Sequence, residues 1–128
     1  MNISLASSHN KKILLENFCV AYRRTLLKHT LFATETTGLM IEKAANLQVN
    51  KFQEGLPGVA EQLCTHLSHK EIDLVIYLID SDHQYAAKPK SPEEILNILR
   101  YCAVFNIPFA PNLATAEALL NSLDKGKV

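Results

Sequence analysis

The sequence predicts an α/β domain with three αβα layers, built on an open, mainly parallel sheet of about five strands. Three observations predict it. Strand-like segments alternate with helical periodicity along the whole chain. One segment, Leu74–Ile79 (LVIYLI), is continuously apolar, the pattern of a parallel strand covered on both faces. Polar clusters follow the strand-like segments, at the carboxyl ends where such sheets bind ligands.

Taken in order, Ile3–Ala6 is the first strand, and Ile13–Leu27 follows as a helix. That helix has Leu14, Phe18, Ala21, Tyr22 and Thr25 near helical spacing. Leu31–Thr34 is the second strand, and Leu47–Asn50 is a weaker candidate ahead of the glycines at 55 and 58. After Leu74–Ile79, Ser91-Pro92-Glu93-Glu94 starts a helix with serine as N-cap, proline at the first position and acids in the first turn. Asn106 and Pro108 end it, Pro108–Ala110 forms a last strand, and Thr115–Leu123 a last helix. The expected organisation is one domain over residues 1–123 with a polar tail over 124–128.

Composition narrows the function. About half of the 128 residues are apolar and a fifth are charged, ordinary for a globular chain. Formal net charge is zero, which removes any bulk electrostatic case for nucleic acid or an anionic membrane. Cys19, Cys64 and Cys102 lie far apart in apolar helical patterns, so they read as reduced thiols rather than zinc ligands. Apolar runs are only strand-length and no signal peptide is visible, so the expected address is cytoplasmic.

The polar clusters carry the chemistry: Ser7–Lys12, Thr34–Gly38, Asp80–His83 and Pro111–Thr115. In Thr34-Glu35-Thr36-Thr37-Gly38, hydroxyls and backbone N–H groups at a strand-to-helix junction can hold one anion, helped by the helix dipole. Glycine there lets a ligand approach the backbone, and Lys12 can add a full positive charge. The same residues also suit a plain N-capped turn with Thr34 as the cap. His66 and His69 have metal-ligand spacing but no third ligand in view, so a solvated face is expected and no metal or other cofactor. Asp80, Asp82 and His83 read as a polar loop, with Asp80 retained as a candidate. Lys88-Pro89-Lys90 reads as an exposed loop.

In order, ISLASSHNKK, LFATETTG, EGLPG with EQ, IDLVIYLID and NIPFAPNLATAEALL resemble the methylglyoxal synthase family over Ile3 to about Leu123. The same methylglyoxal synthase-like domain serves as the effector domain of large carbamoyl phosphate synthetases, and a related one occurs in the bifunctional purine enzyme. The resemblance implies a Rossmann-type parallel sheet with a phosphate site at the strand ends, and often a homo-oligomer. By position, Lys12, Thr34, Thr36, Thr37, Gly38 and Gly55 match phosphate contacts. Glu35 stands where the synthases usually have glycine. Ser8 and His9 replace a histidine–aspartate pair, and Asp80 matches a strand-end aspartate.

The largest departure is Ala60, which stands where the synthases carry their catalytic aspartate. Glu61 is next along, but one helical step turns a side chain by about 100°. The family histidine falls near Lys88–Ser91, and Glu93 or Glu94 roughly replaces the acid after it. These matches favour a stand-alone domain that binds a small phosphorylated metabolite or inorganic phosphate without the parent reaction. The alternative is an active synthase, a carbon–oxygen lyase converting dihydroxyacetone phosphate to methylglyoxal and phosphate, with its base relocated to Glu61 or Asp80. A further alternative is a structural or partner-binding protein with a decayed site, whose mark would be Glu35 filling the phosphate loop.

Overall fold

A computed structural model describes residues 1–52, 59–80 and 92–124. Along the chain run β1 (Asn2–Ser7), a 3₁₀ turn (His9–Lys11), α1 (Lys12–Ala21), α2 (Arg23–Leu26), β2 (Thr30–Thr34) and α3 (Glu35–Ala45). Then come β3 (Val49–Phe52), α4 (Val59–Ser68), β4 (Leu74–Leu78), α5 (Pro92–Val104), β5 (Phe109–Ala110) and α6 (Leu113–Asp124). The five strands form one sheet in the order β3-β2-β1-β4-β5, and every neighbouring pair is parallel. The expected α/β class is therefore what the chain forms.

Both faces of the sheet are covered, which is why β4 reads as unbroken apolar sequence. On one face Ile3, Leu5, Leu31, Ala33, Ile76 and Leu78 form a core with residues of α1, α3 and α6. On the other, Phe32, Phe52, Val75 and Tyr77 meet Leu63, Cys64 and Leu67 of α4 and Ile98 and Cys102 of α5. The chain leaves β1 towards β2 on one side and returns to β4 on the other. Connections at the carboxyl ends of β1 and β4 thus diverge and open a crevice there.

Helix ends follow local chemistry. Asn46, Lys70 and Asn106 close α3, α4 and α5 with positive φ of 52°, 56° and 58°. After Asn106, the Ile107 N–H donates to the Cys102 carbonyl at 2.8 Å, and after Lys70 the Glu71 N–H donates to His66 at 2.8 Å. These are the six-to-one bonds of a Schellman ending, which satisfy carbonyls the helix leaves unpaired.

Most boundaries fall within one residue of the sequence reading, and three elements depart further, each for a structural reason. The helix expected over Ile13–Leu27 breaks at Tyr22 (φ −103°, ψ 22°). The Tyr22 ring packs on Phe18, its hydroxyl donates to Glu117 at 3.1 Å, and Arg23 Nε is freed to donate to the Ala45 carbonyl at 2.7 Å, capping α3. The third strand lies at Val49–Phe52 because the left-handed Asn46 uses up the next residues in a turn. Helix α6 begins at Leu113, since the Asn112 side chain accepts from the Thr115 N–H at 2.9 Å and is its cap.

Candidate functional site

Helix α3 starts one residue after β2 ends, so Thr36, Thr37 and Gly38 lie within it. Thr34 is the N-cap: its φ/ψ is extended (−63°, 162°) and its hydroxyl oxygen accepts from the Thr37 N–H at 3.1 Å. Cap and anion loop are thus the same residues, because a capped helix start still leaves N–H groups and the dipole facing outward.

A cavity of about 380 Å³ opens at this point, at the carboxyl ends of β1 and β2. One wall carries Lys12, the first residue of α1, with Thr34, Thr36 and Thr37. No carboxylate among the described residues pairs with Lys12. The opposite wall carries Phe52, Ala60, Leu63 and Ile98, with two further polar groups, the Tyr77 hydroxyl and Glu94. Burial first, and the Glu94 charge second, hold the Tyr77 hydroxyl above its usual range, so it stays a protonated donor at neutral pH. Along β1, Ser4, Leu5, Ala6 and Ser7 complete the lining. The Ser7 hydroxyl is buried without a hydrogen-bond partner.

The other residues singled out in the sequence are distributed as follows. Ser8 and Asp80 tie β1 to β4: the Ser8 N–H donates to the Leu78 carbonyl at 2.8 Å, and Ser8 Oγ accepts from the Asp80 N–H at 3.1 Å. The Asp80 carboxylate also accepts from Asn10 Nδ2 at 2.6 Å. His9 is exposed, and neither it, Ser8 nor Asp80 lines the cavity. Glu61 is exposed on α4 and likewise off the lining, whereas Ala60 is on it. Glu35 is exposed in the first turn of α3, where its charge complements the helix dipole, and it does not enter the cavity. Gly55, Asp82, His83 and Lys88–Ser91 lie outside the described residues.

Gly38 has a packing role. A Cβ there would meet Lys51 Cγ at 3.0 Å and Val49 Cγ1 at 3.3 Å, so the glycine lets α3 sit against β3. Lys51 is fixed in turn by an ion pair to Glu42 at 2.8 Å. His66 and His69 each place Nδ1 3.4 Å from the Glu71 carboxylate, at the end of α4. Among the described residues no group of three side chains is arranged to hold a metal ion, and no helix is long and apolar enough to cross a membrane.

Among the polar lining residues, sequence reasoning left Ser4 and Tyr77 without a role and took Glu94 only as a rough replacement for a family acid. Two had a signal: a serine inside the apolar ISLA strand and a tyrosine inside LVIYLI interrupt segments otherwise buried on both faces.

The model of the MGS-like domain family matches residues 15–110. Methylglyoxal synthase of Caldicellulosiruptor saccharolyticus is 43% identical over 126 residues, spanning 98% of this chain and 86% of that one. Methylglyoxal synthases of Alkaliphilus metalliredigens and Bacillus subtilis are 42% and 40% identical over 98% of this chain, covering 91% and 89% of theirs. Among solved structures, methylglyoxal synthase from Elizabethkingia anophelis superposes with a TM-score of 0.79 at 31% identity, over 93% of this chain and 76% of that one.

Proposed function

The chain belongs to the MGS-like domain family, and from that premise we propose that it is a carbon–oxygen lyase converting dihydroxyacetone phosphate to methylglyoxal and phosphate. One observation carries the proposal: a single cavity is lined by Lys12 and a capped helix N-terminus together with a carboxylate and a protonated phenol. Relatives bearing the synthase name at about 40% identity over nearly the full chain support turnover over a decayed site.

In this reading Lys12, Thr34, Thr36 and Thr37 hold the phosphate dianion against the N-terminus of α3. Glu94 takes the proton from the hydroxymethyl carbon, and the electron pair moves onto the carbonyl oxygen as an enediolate. Tyr77 donates its O–H to that developing charge. The hydroxyl on the former hydroxymethyl carbon then loses its proton and becomes the aldehyde, its electrons shifting the double bond to the phosphate-bearing carbon, whose carbon–oxygen bond breaks as phosphate leaves onto Lys12 and the threonines. The remaining enol takes a proton at its terminal carbon to become methylglyoxal. Glu94 is assigned the base role over Glu61 and Asp80 because, although exposed like Glu61, it lines the cavity, whereas Glu61 is off the lining and Asp80 is engaged by Asn10.

A second reading is favoured by Ala60, a methyl group on the cavity wall. There the protein binds a phosphorylated metabolite and stops. Methylglyoxal formation from dihydroxyacetone phosphate separates the two. Product is expected, with Glu94→Gln lowering kcat at least a hundredfold, the order expected of a general base, and Glu61→Gln near wild type. No product at high protein concentration, with phosphate still binding, leaves the binding module. Three buried free cysteines support a reducing, cytosolic compartment. Self-association belongs to the same proposal, supported by the exposed Leu96, Leu99 and Val104 along α5.

A further inference from the structure

Ser4 sits in the middle of β1, 1% exposed, in a strand otherwise filled with apolar side chains. Strand alternation puts Ile3 and Leu5 in the core beneath α1, α3 and α6, so the Ser4 side chain faces α4 and α5. Its neighbours across the sheet are Phe32 on β2 and Val75 on β4, both apolar. Its hydroxyl makes no hydrogen bond among the described residues, yet it belongs to the cavity lining.

Two small side chains share this cavity with Ser4. Directly above Ser4 on the same strand face is Ala6, paired with Tyr77. Ala60 on α4 lines the same cavity. Both side chains are single methyl groups, and the cavity they line also takes in Lys12, the threonines and Ser4. Two residues of strand advance about 6.6 Å. The buried side-chain oxygen without a partner among the described residues is that of Ser7, whereas the Ser4 hydroxyl opens onto the cavity, where it can donate to or accept from a ligand oxygen.

We propose that Ser4 is a specificity determinant: a subsite, one layer beneath the phosphate loop, that hydrogen-bonds a hydroxyl or carbonyl oxygen at the far end of a small phosphate monoester. The ligand class is a short polyol or keto-alcohol phosphate whose distal oxygen lies two strand residues from the phosphorus. Plain alkyl phosphates and inorganic phosphate leave the subsite unfilled. The inference deepens the proposed function, resting on its phosphate wall but on no step of its chemistry.

Calorimetric titration of the full chain, wild type and Ser4→Ala, with inorganic phosphate, propyl phosphate and glycerol 3-phosphate tests it. None of the three can be turned over to methylglyoxal, so an inactive protein still reports on Ser4. Wild type is expected to bind glycerol 3-phosphate about tenfold more tightly than propyl phosphate, the worth of a buried hydrogen bond. Ser4→Ala is expected to bring the two near parity while leaving inorganic phosphate unchanged. The ligand-free variant is expected to melt with wild type, because the hydroxyl opens onto the cavity and holds no other part of the protein.

An unchanged ratio in Ser4→Ala, with phosphate still bound, overturns the subsite alone and indicates that water occupies it. A lower melting temperature for the variant overturns it too, by giving the hydroxyl a structural partner. Failure of the wild type to bind any of the three overturns the phosphate wall and the subsite together.

Discussion

Replacing Thr34 by alanine and by aspartate separates the two jobs the structure gives this residue. As N-cap, its oxygen accepts the Thr37 N–H at 3.1 Å; as cavity lining, it leaves its own O–H for a bound phosphate. Alanine removes both. Loss of an N-cap costs about 1 kcal/mol, or about 4 °C in melting temperature for a chain of this size. Aspartate caps as well as threonine and adds a favourable charge at the helix start, so Thr34→Asp is expected to melt within a degree or two of wild type. The same carboxylate sits where a phosphate dianion binds. At about 5 Å in a water-like dielectric, a unit charge repels a dianion by about 1.7 kcal/mol, roughly twentyfold in affinity. Thermal unfolding and phosphate calorimetry on both variants then give a crossed pattern: alanine loses stability, and aspartate keeps stability but loses the anion. If Thr34→Asp melts as low as Thr34→Ala, the capping argument fails. If it binds phosphate as wild type does, the anion is not at the start of α3.

The remaining predictions concern the scaffold. Gly38→Ala, which in an open helix would gain about 1 kcal/mol, is expected instead to lower the melting temperature. The new Cβ meets Lys51 Cγ at 3.0 Å, and Lys51 cannot swing aside without breaking its 2.8 Å pair with Glu42; a rise in melting temperature would contradict this packing. The Cys19 thiol is pushed up to about 12 and that of Cys102 to about 11, mainly by burial, with Glu16 and Cys64 adding to the respective shifts. Both folded values lie above the ordinary thiol value, so their contribution to stability is fully present below about pH 8.5 and is lost as pH rises, when unfolded thiols ionise and folded ones do not. The urea midpoint is expected to fall from pH 8 to pH 10, less steeply in Cys19→Ala, and native thiols should resist alkylation at pH 8; an identical slope in the variant counts against the burial argument.

The sequence by itself determined the layers and the strand ends. Period-2 and period-3.6 patterns follow from local backbone geometry, and β4 shows by its unbroken apolar run that both faces are covered. Thr34 as cap was legible for the same reason, since capping involves residues three apart. Where the reading slipped, at Tyr22, at β3 and at Asn112, the deciding bonds were either cross-chain, like Tyr22 to Glu117 and Arg23 to Ala45, or depended on a backbone angle the residue type only permits, as at Asn46. Gly38 and Glu35 show the same limit. The glycine's reason for being there is a side chain on β3, and the glutamate's direction is set by where its helix turn faces. Only the tertiary structure could bring Glu94, Tyr77 and Lys12, or Ser4, Ala6 and Ala60, onto one cavity. A cavity is a property of surfaces from distant segments, and no periodicity within one segment encodes what another leaves empty.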